Sequence, residues 1–346
     1  MLTNPAIVLI ASPLEEEHVA RLRALAPDRV QVLHDAHLLP APRYASDHKG
    51  GPFTRTPEQQ GRWQAMLGRA NILFDLPAPS DLPHLSRLQW VQTTSTGVGP
   101  AVARLGLDRL GILVTTARGV HAGPLAEWVF MALLAHLRGY DRLRSEQHAR
   151  HWERYCGEDL AGRTLVLIGA GDLARGCARV AKALDMRVVA VARDPARARP
   201  HGTLFDAVVP ASELHVALGI ADVLVMTAPQ TPATEGMLNA EAFAAMRPGV
   251  LFVNIGRGQT VDHAALEAAL RSGQVAFAAL DVTDPEPLPQ ESPLWGMPNV
   301  LISPHSASTV SRENARITDI FCHNLLCWID GRRPEMRNVL DPALMY

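Results

Sequence analysis

Short apolar runs alternate with helix-length amphipathic stretches along most of the chain. The first run, AIVLIAS, covers residues 6–12, and an amphipathic stretch from Glu15 to Ala26 follows it. Further runs lie at 30–34, 71–75, 90–94 and 112–116. A parallel sheet covered on both faces needs strands that are apolar throughout, and each parallel connection needs a crossover. The pattern therefore predicts α/β structure with parallel sheets.

A second series of the same kind fills the rest of the chain. Its apolar runs lie at 164–169, 187–192, 222–227, 250–256, 275–282 and 299–303. A helical stretch from Ala122 to about Ala149 separates the two series, and 311–330 has apolar residues near helical spacing. We expect two α/β units, with the helix at 122–149 as the crossover between them.

Two local features of the sequence add detail to the first series of strands and helices. Thr56, Pro57 and Gln59 form a capping-box pattern that predicts a helix start, with proline at the first helical position. Residues 35–56 are rich in Pro, His and Gly, and they are interpreted as an insertion loop without an assigned role. The histidines here, His34, His37 and His48, are predicted to be surface residues.

The amino-acid composition makes several classes of function unfavourable. The chain has 346 residues, which favours two domains, and 47% of them are hydrophobic, enough for a full core. Lys and Arg number 33 against 35 Asp and Glu, with no basic block, so nucleic-acid and membrane-surface binding are not expected. No apolar run approaches the 18 or so residues of a membrane span, and the N-terminus lacks a secretory pattern. The expected location is the cytoplasm.

No metal site is predicted. Four cysteines are too few for a disulfide framework. Cys322, His323 and Cys327 lack a partner CxxC, and His148 and His151 lack an apparent third ligand.

The run at 164–168 leads into Gly169-Ala170-Gly171-Asp172-Leu173-Ala174, a G-x-G-x-x-A turn that opens a helix. Gly169 permits the tight turn, Gly171 lets the backbone approach a pyrophosphate, and Ala174 keeps the helix close to the strand. Because the strand–turn–helix–strand context is present, the sequence predicts a dinucleotide site here.

The end of the next strand bears on the choice of cofactor. An NAD-selecting site usually places an acidic residue there, whereas this chain has Ala192 followed by Arg193. An arginine suits a 2′-phosphate, and Arg197 and Arg199 lie nearby, so NADP(H) is favoured over NAD(H). The alternative is a solvated basic loop in which Asp194, displaced by two residues, holds the ribose.

Polar residues follow three later strands. Arg257 lies between two glycines after 250–256, Asp281 and Glu286 follow 275–280, and His305 follows Pro304. Ligands of open α/β sheets bind outside the carboxyl ends of the strands, where these residues would converge. Singly, each has an ordinary explanation, as a turn cap, a solvated loop acid or a surface histidine.

Taken together, the motifs resemble one family. The order G-x-G-x-x-A, N-x-x-R-G, L-D-V-x-x-x-E-P-L-P and S-P-H-S is similar to that of the D-isomer-specific 2-hydroxyacid dehydrogenases. STGVG (95–99), TARGVHAGPLAEWV, Trp152 and PLWGMPNV (293–300) support the resemblance from about residue 90 onward. The insertion at 35–56 and Ala192, where NAD-dependent members usually carry Asp, are departures.

The resemblance implies roles that the chemistry of 2-keto acid reduction supports. His305 would supply the proton to the carbonyl oxygen, and Glu286 would favour and orient the protonated imidazole. Arg257 would hold the substrate carboxylate and polarise the carbonyl. Asp281 would contact the nicotinamide carboxamide or the neighbouring backbone. The implied cofactor set further includes Asp172, Leu173, Thr227, Pro229, Ile255 and Gly256, and the implied substrate cradle is the backbone of Thr96, Gly97 and Val98.

The resemblance also implies a domain plan. Both domains would be parallel-sheet α/β domains of Rossmann-like or flavodoxin-like type. Residues 1–120 and 311–346 would form a discontinuous substrate domain, and 121–310 the NAD(P)-binding Rossmann domain. Hinges would lie near 117–124 and 303–311, and closure about them would exclude water. A homodimer through the cofactor domain is implied as well. Val129, Leu133 and Leu137 on the long helix are candidate contacts for it, and ordinary interdomain packing is the alternative explanation of these residues.

The expected activity is that of a glyoxylate or hydroxypyruvate reductase. The retained Glu286 argues against a formate-dehydrogenase-like member, where Gln is expected. Two alternatives stay open: a 3-phosphoglycerate dehydrogenase, and a nucleotide-sensing protein resembling the dehydrogenase-like corepressors, which would bind cofactor without appreciable turnover of keto acids.

Overall fold

The chain forms two compact units in a computed structural model that describes residues 5–198 and 204–341. One unit comprises Met1–Val120 and Thr309–Tyr346, and the other comprises His121–Ser308. None of the helices among the described residues is long and apolar enough to cross a bilayer.

The strands account for most of the apolar runs. Their bounds are β1 Ala6–Ile10, β2 Val30–Leu33, β3 Ile72–Phe74, β4 Trp90–Gln92, β5 Leu113–Thr115, β6 Thr164–Ile168, β7 Arg187–Ala192, β8 Ala207–Pro210, β9 Val223–Met226, β10 Val250–Asn254, β11 Val275–Leu280 and β12 Val300–Ile302. The strand β8 was not anticipated, because its short run AVVP ends in proline. It lies at the edge of its sheet, where an absent N–H is tolerated.

The helices lie between these strands in sequence. Their bounds are α1 Glu16–Ala24, α2 Pro57–Arg69, α3 Gly99–Leu105, α4 Ala122–Leu137, α5 Tyr140–His148, α6 Asp172–Ala183, α7 Pro195–Ala198, α8 Leu214–Leu218, α9 Ala240–Ala244, α10 His263–Ser272 and α11 Glu313–Ile329. The predicted capping box of α2 is present: Gln59 N donates to Thr56 Oγ1, and Thr56 N donates to Gln59 Oε1.

Both sheets are parallel throughout. The first unit has the strand order β2-β1-β3-β4-β5, and the second has β12-β11-β10-β9-β6-β7-β8. These are the flavodoxin-like order and the Rossmann order with one further strand at an edge. The predicted fold class, two parallel-sheet α/β domains, is confirmed.

The last long helix belongs to the core of the first unit. Phe321 of α11 packs against Phe74 of β3 and Trp90 of β4, with ring centroids 5.3 and 5.2 Å apart. Burial of three aromatic side chains on one seam holds this C-terminal helix against a sheet built entirely from the first 120 residues.

The predicted helix at 122–149 is two helices. Gly139 adopts a left-handed conformation (φ 63°), which ends α4 and lets α5 start in a new direction. Val129, Leu133 and Leu137 are buried in the core of their own unit, so they are not available as contacts for a second chain. The interpretation of these three residues as dimer contacts was therefore wrong.

The insertion at 35–56 is an ordered loop pinned by Asp47. This buried carboxylate accepts hydrogen bonds from the backbone and guanidinium of Arg43 and from the backbone N–H groups of Lys49 and Gly50. The surface prediction was wrong for His34 and His48, whose side chains are only 6% and 15% exposed. Each of these histidines lies beside a glutamate of a helix that is distant in sequence, so the contact could not be predicted from the sequence.

Candidate active site

The turn after β6 has the geometry of a phosphate cradle. Gly169 has φ +115°, and a Cβ there would lie 2.7 Å from Thr227 Oγ1, so only glycine fits. A Cβ at Gly171 would meet nothing within 4 Å, which leaves open space in front of the backbone. Gly171 precedes α6 without a side-chain cap, so the first N–H groups of this 12-residue helix can receive an anion. These residues fit the pyrophosphate of a dinucleotide.

The end of the neighbouring strand, β9, completes the part of the site that would hold the dinucleotide. Thr227, directly after β9, donates to Ile168 O through its hydroxyl (2.8 Å) and its backbone N–H (3.0 Å). The structure therefore brings Thr227 beside the glycine turn, and Pro229, two residues later in the chain, is exposed. On α6, Ala174 is fully buried and Leu173 half-buried, while Asp172 Oδ1 accepts from Arg175 Nη2 at 2.6 Å.

At the end of β7, Ala192 is buried, whereas Arg193 and Asp194 are exposed. Asp194 Oδ1 accepts from the backbone N–H of Ala196 at 3.0 Å, in the first turn of α7. This capping bond gives Asp194 a structural role. Arg199 lies outside the described residues, as does the side chain of Arg197.

Arg257 follows β10 in a tightly packed turn. The buried Asn254 organises it: Asn254 Oδ1 accepts from Gly256 N (3.0 Å), and Asn254 Nδ2 donates to Arg257 O (3.2 Å). A Cβ at Gly256 would approach Ala228 O to 2.8 Å, and a Cβ at Gly258 would lie 1.9 Å from Thr283 O. Both glycines are therefore required by the close approach of neighbouring strand ends.

Burial lowers the pKa of Arg257 from its ordinary value, and the negative charges of Glu286 and Asp281 oppose this effect. Arg257 Nη1 donates to Gly256 O at 2.7 Å. A half-buried guanidinium near two carboxylates remains a cation, because arginine does not lose its proton in proteins. The turn thus presents a partly desolvated positive charge, which suits a carboxylate ligand.

Asp281 holds the segment that carries His305. Its buried carboxylate accepts, through Oδ1, the N–H groups of Ser306 and Ala307, both at 2.9 Å. Its backbone carbonyl accepts from His305 N at 2.9 Å, and His305 itself has φ +52°. The bonds to Asp281 offset this unfavourable backbone conformation and set the direction in which the imidazole leaves the chain.

Glu286 pairs with His305. Glu286 Oε2 lies 2.9 Å from His305 Nδ1, and Glu286 Oε1 accepts from the backbone N–H of Thr283 at 3.2 Å. The side chains are 39% and 46% exposed. Because the carboxylate is fixed at both oxygens, it can orient the ring, which is the arrangement required of a positioned general acid.

A cavity of about 320 Å³ adjoins this pair. It has an apolar wall formed by Leu288, Trp295 and Ile302, and polar groups from Asp281, Glu286 and His305 face it. A small cavity with an apolar lining and a few converging polar groups is typical of ligand sites.

The predicted cofactor and acid–base residues thus lie along one edge of one sheet. In the strand order of the second unit, they follow β12 (His305), β11 (Asp281), β10 (Ile255 to Arg257), β9 (Thr227), β6 (Gly169) and β7 (Arg193).

The predicted substrate cradle belongs to the other unit. Thr96, Gly97 and Val98 lie between β4 and α3; Thr96 is half-buried, Gly97 exposed and Val98 buried. Thr93 Oγ1 donates to Ser95 O at 2.8 Å and stabilises the start of this loop.

Sequence reasoning did not assign roles to Asn254, Gly258 and Thr283, which support Arg257 and Glu286. A role for Asn254 could have been predicted from the sequence, because a polar residue that ends an apolar strand often organises the following turn. The contribution of Thr283 is a backbone N–H, which no residue type reveals.

One surface group has metal-ligand spacing. Glu146, His151 and Glu153 have ligand atoms within 4.8 Å of one another, but Arg142 bonds both carboxylates (2.6 and 3.2 Å). His148 is not part of the group. Near Cys327, His323 Nε2 contacts Glu335 O at 3.0 Å.

Comparison with known proteins agrees with this arrangement. The family profile described as D-isomer specific 2-hydroxyacid dehydrogenase, NAD binding domain, matches residues 130–307. The mouse glyoxylate reductase/hydroxypyruvate reductase is 31% identical over 281 residues, which are 78% of this chain and 83% of the mouse protein. D-3-phosphoglycerate dehydrogenase of Archaeoglobus fulgidus is 32% identical over 64% of this chain but only 42% of its own length.

A solved structure extends the likeness to nearly the whole chain. The D-isomer specific 2-hydroxyacid dehydrogenase of Xanthobacter autotrophicus, in complex with NADPH and MES, superposes with a TM-score of 0.73 at 27% identity, covering 99% of this chain and all of that one. The fold, the glycine turn and the ordered motifs are those of one group of enzymes. The chain therefore belongs to the D-isomer-specific 2-hydroxyacid dehydrogenase family and is an oxidoreductase.

Proposed function

We propose that this enzyme reduces a small 2-keto acid to the D-2-hydroxy acid with NADPH, and that glyoxylate and hydroxypyruvate are substrates. The observation that carries the proposal is the Glu286–His305 pair, at 2.9 Å, on the same sheet edge as the half-buried Arg257 and the glycine turn. The mouse relative is named for both substrates, which supports the choice.

Each residue would act on a defined atom. Arg257 would bind the substrate carboxylate and stabilise the negative charge that develops on the carbonyl oxygen. With Nδ1 held by Glu286, the imidazole of His305 would donate its Nε2 proton to that oxygen. The reduced nicotinamide, when bound, supplies the hydride that reaches C2. In the oxidative direction His305 would take the proton back.

Three residues of the first unit are also assigned to substrate binding in this proposal. We include the backbone N–H groups of Thr96, Gly97 and Val98 as further donors to the carboxylate, and we assign the unit that carries them, residues 1–120 with the C-terminal segment, as the substrate domain.

The preference for NADPH would rest on Arg193. Asp194, the alternative ribose ligand, already accepts the N–H of Ala196. The Xanthobacter relative contains NADPH. A charge-assisted contact to the 2′-phosphate is worth about 1.5–3 kcal/mol, so Arg193→Ala is expected to raise KM for NADPH about 10- to 100-fold and leave KM for NADH unchanged. Arg187→Ala, at the opposite end of β7, is the matched control.

The decisive experiment measures initial rates of NADPH and NADH oxidation with glyoxylate, hydroxypyruvate, pyruvate and a bulkier 2-keto acid. Turnover of the two small acids with NADPH is expected, and His305→Ala should lower kcat about 10²- to 10⁴-fold. His148→Ala, an exposed histidine on α5, should leave kcat unchanged.

Two other results would redirect the assignment. Cofactor binding without turnover of any acid would favour the nucleotide-sensing alternative. Oxidation of 3-phosphoglycerate with inactivity toward the small acids would favour the reaction of the phosphoglycerate dehydrogenases.

We also infer a homodimer through the second unit. Four of its large apolar side chains, Met131, Tyr140, Leu143 and Trp152, are 47% to 95% exposed, and Trp152 is the most exposed of them. Burial between two chains would remove this surface from water. Sedimentation at twice the chain mass of 37.6 kDa is expected, and Trp152→Ser should shift the equilibrium toward monomer.

A further inference from the structure

The glycine turn after β6 carries an acidic side chain close to the place where the phosphates of a dinucleotide would bind. Asp172, the first residue of α6, directly follows Gly171, and its side chain is 33% exposed. A carboxylate at this position is attracted to the positive end of the helix, and so is a phosphate. Without a positive neighbour, Asp172 would therefore repel the diphosphate of the cofactor, which is itself an anion.

Arg175 supplies the positive charge beside this carboxylate. Its Nη2 donates to Asp172 Oδ1 at 2.6 Å, and its Nη1 donates to Ala170 O at 2.9 Å. The backbone N–H of Arg175 donates to Gly171 O, also at 2.9 Å. One residue thus bonds to each of the three consecutive residues that lead into α6. The side chain of Arg175 is only 21% exposed, so the guanidinium lies against the turn and does not extend into solvent.

The two side-chain bonds of Arg175 fix the charge and the backbone of the turn together. Because the C=O and N–H groups of a trans peptide point in opposite directions, the bond to Ala170 O also sets the direction of the Gly171 N–H. The bond to Asp172 joins residues three positions apart on a helix surface, and a partly exposed pair of this kind adds little to stability. The main consequence of the pair is therefore electrostatic: the two side chains together carry no net charge.

We propose that Arg175 is a positioning residue of the dinucleotide site, which neutralises Asp172 and so allows the diphosphate of the cofactor to approach the turn. The proposal rests on dinucleotide binding by this turn, but not on the keto acid or on the choice between NADPH and NADH. Because the diphosphate is common to both cofactors, Arg175 acts on both. The proposed contact of Arg193, in contrast, is to the 2′-phosphate of NADPH alone.

Titration of the purified chain with NADPH and with NADH, followed by the fluorescence of the reduced nicotinamide, tests the proposal without any keto acid. Arg175→Met, which keeps most of the aliphatic stem, should raise the Kd of both cofactors at least tenfold and by the same factor. The factor should shrink in about 1 M NaCl, because salt screens the repulsion between the carboxylate and the diphosphate. Arg179→Met, at an exposed position one turn later on α6, is the matched control and should leave both Kd values unchanged.

A second substitution distinguishes neutralisation from a direct contact with the phosphates. Asp172→Asn, added to Arg175→Met, should restore most of the lost affinity, because the repelling carboxylate is then absent. A double variant that binds as weakly as Arg175→Met would overturn the proposal, and so would a loss confined to NADPH. Asp172→Asn alone should tighten the binding of both cofactors, and this expectation can be tested even if Arg175→Met fails to fold. Weaker binding in Asp172→Asn would contradict the repulsion on which the proposal depends.

The same titrations separate the failure of this proposal from the failure of the dinucleotide site. If the wild-type chain binds neither NADPH nor NADH, the site itself is wrong, and the proposed reductase function is wrong with it. If the wild-type chain binds them and Arg175→Met binds them equally well, only the role of Arg175 is overturned.

Discussion

Gly258→Ala is the substitution for which the structure makes the sharpest prediction. The new Cβ would lie 1.9 Å from Thr283 O, 2.1 Å from Thr283 C and 2.8 Å from Asp284 N. All three are backbone atoms, so no side-chain rotation can relieve the clash. An ordinary contact distance of about 3.2 Å requires one of the two loops to move by more than 1 Å.

The displaced loops carry the two groups that matter most for the proposed reaction. Gly258 adjoins Arg257, and the backbone N–H of Thr283 holds Glu286 Oε1. Because a misplacement of about 1 Å can lower a rate about 100-fold, we expect kcat/KM to fall at least that far. Overpacking should cost about 1–3 kcal/mol of stability, equivalent to several degrees in Tm.

Steady-state kinetics, thermal unfolding and cofactor titration distinguish the effects of this substitution on catalysis, on stability and on cofactor binding. Cofactor affinity should change much less than kcat/KM, since the glycine turn follows a different strand. Gly61→Ala, in the middle of α2 with nothing within 4 Å of the new Cβ, is the matched control and should leave kcat/KM unchanged. Wild-type kinetics and Tm in Gly258→Ala would refute the packing of Arg257 described above.

Substitutions at three further residues test other parts of the structure. Asp281→Ala should lower kcat about 10- to 100-fold, because the N–H groups of Ser306 and Ala307 lose their acceptor and the His305 segment loosens; Asp281→Asn, which retains Oδ1, should recover part of the rate in the same assay. Glu286→Gln should lower kcat more than it changes KM for the keto acid, and an unchanged pH–rate profile would contradict its action through His305. The guanidinium of Arg43 and the backbone N–H groups around Asp47 hold the pKa of that carboxyl well below its usual range. Its stabilising effect is present above the unfolded-state pKa of about 3.9 and is lost as the pH falls toward the folded value, so the Tm difference between wild type and Asp47→Asn should be constant from pH 5 to 8 and shrink below about pH 4.

The strands and the glycine turn were predictable because their signals are local. A strand buried on both faces must be apolar along its whole length, so β6, β7, β9, β10 and β11 are visible as runs. The G-x-G-x-x-A turn is visible because its glycines meet a conformational requirement at Gly169 and leave space at Gly171. The broken helix at Gly139 was missed because a glycine inside an apolar pattern is compatible both with a weak helix and with a helix end.

Contacts between distant segments were not predictable. The bond between Asn314 and Glu15 joins residues 299 positions apart, and His48 is buried beside Glu313 at a similar separation. Each of these residues is polar and would be expected at the surface from its type alone. Burial beside a partner depends on which helix covers which strand, and no short segment encodes this.

The sequence by itself determined the element types, the parallel sheets and the residues that end each strand, because these follow from local periodicity and backbone sterics. Only the tertiary structure decided the strand order that aligns Gly169, Thr227, Arg257, Asp281 and His305 along one edge, and the close approach of Thr283 that makes Gly258 indispensable. Strand order follows from long-range packing, in which many weak apolar contacts form at once. The total energy of these contacts is a property of the folded chain and not of any single segment.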